Sequence, residues 1–597
     1  MKDDHIPIGA IVPKGDLLLD NAPFNKEQRI WLKGYLAGFN TKMVEIEKKQ
    51  LGVRAESKQL KPIDILYGTQ TGNAEQVAQE ASALAINHGF EPRVFELDSV
   101  TMDQLQNMKT VIIIVATYGE GEMPDNADLF WGALSSSSAP RLSNMRYGVL
   151  ALGDTSYEHF CQAGKFIDTR LEQLGADRMI ARIDCDYDFE DPSSEWLSKT
   201  LPLARGDDSQ LFRSEIVAKE QKSSKPIWNR KNPYGANVIE NRILSGTGSR
   251  KEIRHLSFDL GESGITYEVG DTVNVMPTNH ADLVTAIIQR FDAAPDDHIH
   301  GQNYPLGQLL STHKEIMSPS KELVSELANK SKNNELTKIY TSGDKKALEA
   351  FLWGKDTLDL LNLSDEPPID LMTFVSCLKP LQHRAYSISS SSKAHPNEIH
   401  VTVAAVRWEV NNREHRGVAS TWLADCHENQ STIPLFVSPN KNFRIPKDDD
   451  CSVIMVGPGT GVAPFRAFLE ERKARNSCGR NWLFFGDQHS DCDFIYQEEF
   501  SEMMQQEVLT RLDLAFSRDQ KEKIYVQHRM LENSAELYSW LQDGASFYVC
   551  GDASKMAKDV DSALIEVVRL EGNLSRDGAI EYVNDLKLAK RYLRDVY

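Results

Sequence analysis

The chain has 597 residues, of which 41% are hydrophobic and 26% are charged, and its net charge is −20. At about 150 residues per domain, this length predicts about four domains, each able to bury its own core, and the composition excludes wholesale disorder. The acidic excess argues against a general nucleic-acid-binding protein, because such proteins need Lys and Arg to displace counterions. A bilayer span needs about 18 apolar residues in a row, whereas the longest run here, Val111–Ala116, is typical of a buried strand.

Eight cysteines are spread along the chain without a C-x-x-C pair or a Cys/His run at zinc spacing. This pattern predicts neither a disulfide framework nor a metal site. The first residues, 1–5, lack the basic and apolar parts of a secretion signal. We therefore expect a reducing, cytoplasmic location, and neither a membrane nor a nucleic acid as partner.

The chain begins with a segment, residues 1–61, that contains one structured pattern. Trp31, Tyr35 and Phe39 recur every four residues, which predicts an apolar helical face. Such a face either packs on its own domain or mediates assembly.

The strand and helix patterns divide the remaining chain into three predicted domains and a linker. Strands that alternate with helices predict a parallel, doubly wound sheet, and this pattern occurs twice. In between, a β-rich region is interrupted by an insertion that is mostly helical, at Ala281–Phe291, Ser320–Lys330 and Lys345–Leu363. The predicted domains are a doubly wound α/β domain at 62–205, a linker at 206–226, a β domain at 227–449 with its insertion at about 277–379, and a second doubly wound domain at 450–597.

Three loops follow predicted strands of the 62–205 domain. Loops at the carboxyl ends of parallel strands converge at one edge of the sheet. The first loop is rich in Gly and Thr, lacks Lys and Arg, and precedes a helix, so its N–H groups can bind a phosphomonoester; a plain capped turn would also explain it. The other two loops each offer a Tyr that can stack on a flat ring. The candidate residues are Thr69, Gln70, Thr71, Gly72, Asn73, Ala74, Ala116, Thr117, Tyr118, Gly119, Leu152, Gly153, Asp154, Thr155, Ser156, Tyr157, Glu158, His159, Phe160 and Cys161.

These loops resemble the FMN-binding loops of the flavodoxin-like domain in the diflavin reductase family. The resemblance implies that 69–74 hold the FMN phosphate and that Tyr118 and Tyr157 flank the isoalloxazine ring. It also implies the order of the other two domains: an FAD-binding β-barrel with a helical insertion, and an NADP-binding α/β domain like that of ferredoxin–NADP⁺ reductase.

A second group of motifs lies in the β-rich region. An Arg in R-x-Y-S and a glycine turn that opens a helix can together clamp a pyrophosphate, although R-x-Y-S alone could be ordinary surface. Together they resemble the FAD site of the same family, which usually has Tyr where this chain has Trp408. The resemblance implies FAD contacts from Arg384, Ala385, Tyr386, Ser387, Thr402, Val403, Ala404, Trp408, Gly417, Val418, Ala419, Ser420 and Tyr597.

The last domain carries a glycine turn, Gly457–Arg466, at the start of a helix, although its spacing is not G-x-G-x-x-G. The strand Leu512–Phe516 is followed by cations and hydroxyls, which a 2′-phosphate requires. This part resembles the NADP site of the family. The implied NADP contacts are Thr460, Ser517, Arg518, Lys523, Ile524, Tyr525, Val526, Gln527 and Asp559.

The C-terminal part also resembles the family's hydride-transfer site. The resemblance implies that Ser387, Cys550 and Asp595 form a small polar set around the transfer. It further implies that Tyr597 covers the flavin ring and moves aside for nicotinamide. Because a hydride must pass between two rings held close together, catalysis here is mainly positioning.

The electron acceptor is indicated only by resemblance. Phe24–Phe39 and the Arg-Asp-Val-Tyr ending resemble the bacterial sulfite reductase branch of the family. This implies electron flow from NADPH to FAD to FMN and on to a hemoprotein (beta) subunit with sirohaem and an iron–sulfur cluster, which reduces sulfite to sulfide within a large hetero-oligomer that holds several copies of this chain. The chain itself lacks a Cys cluster for such a centre. A reductase for another haem acceptor and a non-catalytic nucleotide-binding assembly protein remain alternatives.

The acidic excess is concentrated in one domain. Residues 62–205 contain 22 Asp and Glu against 10 Lys and Arg. A surface of one sign can steer docking of a partner, which predicts a basic patch on the electron acceptor. Simple solubility would also explain the charge.

Overall fold

The computed structural model describes residues 60–119, 121–155, 157, 159–206, 227–331 and 335–597. The predicted helical face at Trp31–Phe39 and nearly all of the predicted linker lie outside these residues. Within the described ranges, no helix has the length and apolar character needed to cross a bilayer.

The first domain is a doubly wound sheet with the strand order β2-β1-β3-β4-β5, and β6 pairs with β4. Its central strands β1, β3 and β4 run parallel. Helices pack on both faces, so β3 is almost wholly buried. The elements are β1 Lys61–Gly68, α1 Asn73–Asn87, β2 Phe90–Glu96, α2 Met102–Asn107, β3 Thr110–Ala116, α3 Asp128–Ser135, β4 Arg146–Leu152, α4 Gln162–Gln173, β5 Asp177–Arg178, β6 Ile183–Cys185 and α5 Glu190–Arg205.

The second domain is an antiparallel sheet of six strands in the order β10-β9-β14-β7-β8-β11. A bridge between Ile388 and Val401 joins the first and last strands, so the sheet closes into a barrel. A separate hairpin, β12-β13, follows β11. The elements are β7 Tyr234–Ile243, β8 Glu252–Asp259, β9 Thr272–Val275, β10 Arg384–Ser387, β11 Glu398–Ala405, β12 Arg407–Val410, β13 Arg413–Arg416, α13 Val418–Ala424 and β14 Thr432–Ser438.

The helical insertion leaves the barrel after β9 and returns at β10. Because these two strands pair with each other, as in Val275 with Arg384, the insertion begins and ends at neighbouring points. It has a hydrophobic core of its own. The helices are α6 Ala281–Arg290, α7 Leu306–Gln308, α8 Lys321–Lys330, α9 Glu335–Ser342, α10 Lys345–Leu352, α11 Thr357–Leu361 and α12 Leu371–Cys377.

The helical pattern predicted over Lys345–Leu363 is interrupted once. The chain forms two helices, because Gly354 adopts a left-handed conformation with φ of 74° and Asp356 then caps the second helix through a capping box with Asp359.

The third domain is a parallel five-stranded sheet with the order β17-β16-β15-β18-β19. Its three central strands are almost completely buried, and β19 lies at one edge. The elements are β15 Val453–Val456, α14 Ala463–Arg475, β16 Asn481–Asp487, α15 Gln497–Gln505, β17 Arg511–Phe516, α16 Val526–Glu532, α17 Ser534–Gln542, β18 Ser546–Gly551, α18 Met556–Glu571, α19 Arg576–Leu588 and β19 Tyr592–Val596.

Candidate functional site

One cavity of about 2300 Å³ joins loops from all three domains. A pocket for one small ligand is typically about 300–1,000 Å³, so this cavity has room for more than one ring system. The predicted residues that line it are Gln70, Thr71, Asn73, Ala116, Thr117, Tyr118, Gly119, Leu152, Gly153, Asp154, Tyr157, His159, Phe160, Cys161, Arg384, Ala385, Tyr386, Ser387, Thr402, Ala404, Trp408, Gly417, Val418, Ala419, Ser420, Thr460, Asp595 and Tyr597.

The glycine- and threonine-rich loop before α1 offers backbone N–H donors that can bind an anion. The N–H of Gly72 donates to the buried Thr69 hydroxyl oxygen at 2.9 Å, which curls the loop onto the helix N-terminus. Among the described residues, the N–H groups of Gln70 and Thr71 have no hydrogen-bond partner. Two free donors beside a helix N-terminus suit a bound phosphate group.

Two aromatic side chains border the same region. Tyr118 is partly buried and Tyr157 is half exposed, and both rings line the cavity. Thr155 faces away from the cavity, since both its N–H and its hydroxyl donate to Asp186, at 3.1 and 2.6 Å. Ser156 and Glu158 lie outside the described residues, and Thr69, Gly72, Ala74 and Val403 support the cavity without lining it.

The barrel supplies the FAD-like part of the cavity. The Arg384 guanidinium donates to Glu315 at 3.1 Å, so one of its N–H groups is already hydrogen-bonded within the protein. The Trp408 ring stacks on the buried His415 ring, with 5.5 Å between the centroids, and its indole N–H donates to the Gly354 carbonyl at 2.8 Å. Trp408 is thus held rigidly with its remaining surface toward the cavity, where an adenine ring can stack.

The polar set predicted for hydride transfer is assembled from the barrel and the third domain. The Ser387 hydroxyl donates to the Asp595 carboxylate at 2.7 Å, and the Cys550 thiol donates to the same oxygen at 3.9 Å. Burial raises the pKa of Asp595 to about 6, and burial also raises the pKa of the Cys550 thiol. Cys550 is therefore a hydrogen-bond donor at neutral pH and not a thiolate nucleophile.

The C-terminal residue closes this corner of the cavity. The Tyr597 N–H donates to the Gly551 carbonyl at 3.0 Å, and its phenol oxygen lies 3.2 Å from the Thr460 hydroxyl oxygen. The residue remains 63% exposed, so its ring can move without unpacking a core.

The predicted 2′-phosphate residues lie outside the cavity, after the carboxyl end of β17. Arg518, Lys523 and Tyr525 are exposed there. The Tyr525 ring stacks on His528, with 5.9 Å between centroids, and the Gln527 amide donates to Asp559 at 3.2 Å. An open group of cations and a hydroxyl suits a phosphate that reaches this edge from solvent.

Replacing Arg518 by Ala is expected to raise the KM for NADPH by about 10- to 100-fold, since a hydrogen bond to a charged group contributes about 1.5–3 kcal/mol. The kcat/KM for NADH, which lacks the phosphate, stays the same. Steady-state kinetics with both coenzymes measure this. Arg480→Ala is the matched control, because Arg480 precedes β16 at the opposite end of the sheet; an equal rise in both variants would contradict the assignment.

Ion pairs connect the acidic first domain to the rest of the chain. Five cations outside 62–205 bind six of its carboxylates. The pairs are Lys441 with Glu75, Lys590 with Glu96, Lys558 with Glu122, Arg594 with Asp125, and Arg230 with both Asp188 and Glu190.

Several lining residues were not predicted. Tyr187, Trp228, His383 and Phe436 belong to the cavity but fall in no motif. Asp125 does not line the cavity but contacts the lining residue Gln70; it follows β3 at the carboxyl end of the sheet, and the rule that ligands bind at this edge could have found it.

Comparison with known protein families identifies three domains in the chain. The family model for flavodoxin matches residues 65–196, the model for the FAD binding domain matches 227–422, and the model for the oxidoreductase NAD-binding domain matches 455–562. The predicted fold class is confirmed by these three matches together with the parallel, antiparallel and parallel sheets.

Similar proteins match this chain over nearly their whole length. The sulfite reductase [NADPH] flavoprotein alpha-component of Bacillus subtilis is 41% identical over 97% of this chain and 99% of its own length. The chain belongs to the sulfite reductase flavoprotein alpha-component family. The proteins of that name from Vibrio cholerae and from Shewanella sp. (strain MR-7) are each 39% identical over 96% of this chain, covering 94% and 96% of their own lengths.

Membership of this family establishes the cofactors and the reaction class. The flavodoxin domain binds FMN, the FAD-binding domain binds FAD, and the NAD-binding domain binds NADPH. The protein is an NADPH-dependent diflavin oxidoreductase, and the alternative of a non-catalytic assembly protein is wrong. When bound, FAD accepts a hydride from NADPH and its electrons pass on through FMN.

Proposed function

We propose that this chain oxidises NADPH and delivers the electrons, through FAD and then FMN, to a hemoprotein subunit whose sirohaem and iron–sulfur cluster reduce sulfite to sulfide. The observation that carries the proposal is the cavity shared by the three domains. The residues proposed to bind FMN and those proposed to bind FAD both line it, and the Ser387–Asp595–Cys550 set adjoins it. The full-length similarity to sulfite reductase flavoproteins supports this acceptor over another haem protein.

The roles of individual residues are part of this proposal. The loop residues 69–74, with Tyr118 and Tyr157, bind FMN; Arg384, Trp408 and 417–420 bind FAD; and Arg518, Lys523 and Tyr525 bind the 2′-phosphate. Asp595 accepts hydrogen bonds from Ser387 and Cys550 and faces the nicotinamide, and Tyr597 moves to admit it. The domain boundaries proposed are 62–205, 227–449 and 450–597.

The test is a reconstituted assay of sulfide formation with the purified holoprotein, NADPH, sulfite and the cognate hemoprotein. We expect sulfide only when all four are present. We also expect the rate to fall as ionic strength rises, because the acidic first domain docks on a basic patch of the acceptor. Reduction of cytochrome c without any sulfide would instead support a reductase for another haem acceptor.

We propose a cytoplasmic location, which suits a protein whose eight cysteines are all free thiols.

We further propose that assembly of the oligomer depends on the N-terminal segment, residues 1–61. Deletion of residues 1–50 is expected to leave NADPH oxidation unchanged while it reduces the mass of the oligomer, as measured by light scattering. An oligomer of unchanged mass would refute this role of the Trp31, Tyr35 and Phe39 face.

A further inference from the structure

The FMN domain contacts the C-terminal strand directly. The Tyr118 hydroxyl donates to the Val596 carbonyl, and the Arg594 guanidinium forms an ion pair with Asp125. Tyr118 and Asp125 follow β3 of the FMN domain, whereas the other two residues belong to β19 of the NADP domain. The strand that carries Asp595 is therefore held by a domain that is not needed chemically for the reaction of NADPH with FAD.

Hydrogen bonds hold both the backbone N–H and the carboxylate of Asp125. Its N–H donates to the Gln70 side-chain oxygen at 3.0 Å, and the Gln70 amide donates to one carboxylate oxygen of Asp125 at 3.3 Å. The other carboxylate oxygen accepts from Arg594. Because Gln70 belongs to the loop at the phosphate site, the orientation of Asp125 is set by the FMN site itself.

Arg594 in turn determines how β19 is oriented. This strand lies at the edge of its sheet, so it pairs with β18 on one side only. Consecutive side chains of a strand point to opposite faces, so anchoring Arg594 on one face directs Asp595 toward the other, where Ser387 and Cys550 lie. Loss of that anchor removes an ion pair from a strand that has a hydrogen-bonded neighbour on one side only.

We propose that Asp125 is a positioning residue for hydride transfer from NADPH to FAD, acting through Arg594 on the strand that carries Asp595 and Tyr597. This inference rests on the proposed roles of those last two residues. In the step itself, the hydride leaves nicotinamide C4 with both electrons, NADPH becomes NADP⁺, and the flavin takes up the hydride. NADPH oxidation is consequently fastest when the FMN domain is docked.

The test compares Asp125→Asn with Glu122→Gln in the full-length holoprotein. Asn keeps the contacts with Gln70 but removes the charge that faces Arg594. Glu122 is a matched control, because its ion pair with Lys558, at 3.0 Å, crosses the same boundary without touching β19. Anaerobic stopped-flow absorbance follows FAD reduction by NADPH and by NADPH deuterated at C4.

We expect Asp125→Asn to lower the limiting rate of FAD reduction about fivefold, the scale of one partly buried ion pair. The KM for NADPH should change little, the isotope effect should increase, and Asp125→Glu should restore most of the rate. Glu122→Gln should stay within about twofold of the parent. Arg594→Gln, which leaves the FMN loop intact, should reproduce the slowing even if Asp125→Asn loses FMN.

An equal slowing by Glu122→Gln would overturn the inference, because general docking of the domain would then explain the effect. Parent-like rates in both Asp125→Asn and Arg594→Gln would also overturn it. If Asp595→Asn still slows FAD reduction in that case, the proposed site stands and only the positioning role is lost. If Asp595→Asn is parent-like as well, the proposed role of Asp595 fails too.

Discussion

Replacing Asp595 by Asn is expected to slow the reduction of FAD by NADPH about 100-fold at pH 7, the size of effect seen when one preorganised electrostatic group is removed. The nicotinamide ring becomes positively charged as the hydride leaves. A partly buried carboxylate at the proposed nicotinamide site, oriented by Ser387 at 2.7 Å, is expected to stabilise that charge, whereas a neutral amide of the same shape is not. Stopped-flow absorbance under anaerobic conditions gives the rate directly.

The pH dependence follows from the same carboxyl group. Burial raises the pKa of Asp595 to about 6, so the group is a carboxylate above that pH and protonated below it. The rate of FAD reduction in the parent should therefore fall as the pH decreases through about 6. The profile of Asp595→Asn should be flat over this range, because Asn does not titrate.

The Asp595→Asn substitution should raise the thermal stability of the protein although it lowers the rate of FAD reduction. The folded-state pKa of Asp595 lies above its ordinary value of 3.8, so ionisation of this group opposes folding, and its contribution to stability is lost as the pH rises through about 6. Asp595→Asn should then melt at a higher temperature than the parent at pH 8, with a smaller difference at pH 5. A parent-like rate and an unchanged pH profile in the variant would contradict the assigned role.

The second large effect is expected from Gly461→Ala, which should lower NADPH oxidation by more than about 100-fold. A Cβ atom at position 461 would lie 2.2 Å from the Cys550 carbonyl oxygen. That oxygen belongs to the buried strand β18 and cannot rotate away, so the glycine turn must shift. Thr460 and the proposed nicotinamide pocket would shift with it, and a displacement of about 1 Å between the reacting rings slows hydride transfer strongly.

Gly132→Ala is the control for this substitution. Gly132 lies in α3, and a Cβ atom there meets nothing within 4 Å, so the variant should match the parent in activity and be no less stable. Chromatography of the released flavins should show equal FMN and FAD in both variants, which separates a displaced turn from a misfolded protein. Normal oxidation of NADPH by Gly461→Ala would mean that nicotinamide binds elsewhere.

Local sequence patterns were sufficient for most of the architecture. The strand, loop and helix around Thr69 and the glycine turn before α14 were predictable, because hydrophobic periodicity and turn residues act over a few neighbours. The same reasoning failed at Gly354, where one left-handed residue divides a predicted helical stretch. Propensity alone does not show whether a glycine interrupts a helix or is tolerated within it.

The negative charge of residues 62–205 was visible in the composition, but its pairing was not. The sequence predicted an acidic surface for an electron acceptor, and that docking role remains a prediction. The structure adds that carboxylates such as Glu96 and Glu122 already bind Lys590 and Lys558 of the same chain. Docking of an acceptor on these residues therefore requires their release.

By itself, the sequence indicated which cofactors this protein binds, because its phosphate- and pyrophosphate-binding patterns are short and local and resemble those of the diflavin reductase family. Only the tertiary structure decided that Ser387, Cys550 and Asp595 meet around one carboxylate oxygen, and that Asp125 reaches the strand of Asp595 through Arg594. The contacts of Ser387 with Asp595 and of Asp125 with Arg594 join residues that lie 208 and 469 positions apart. Their geometry depends on how whole domains pack, and hydrophobic periodicity and motif spacing carry no information about that packing.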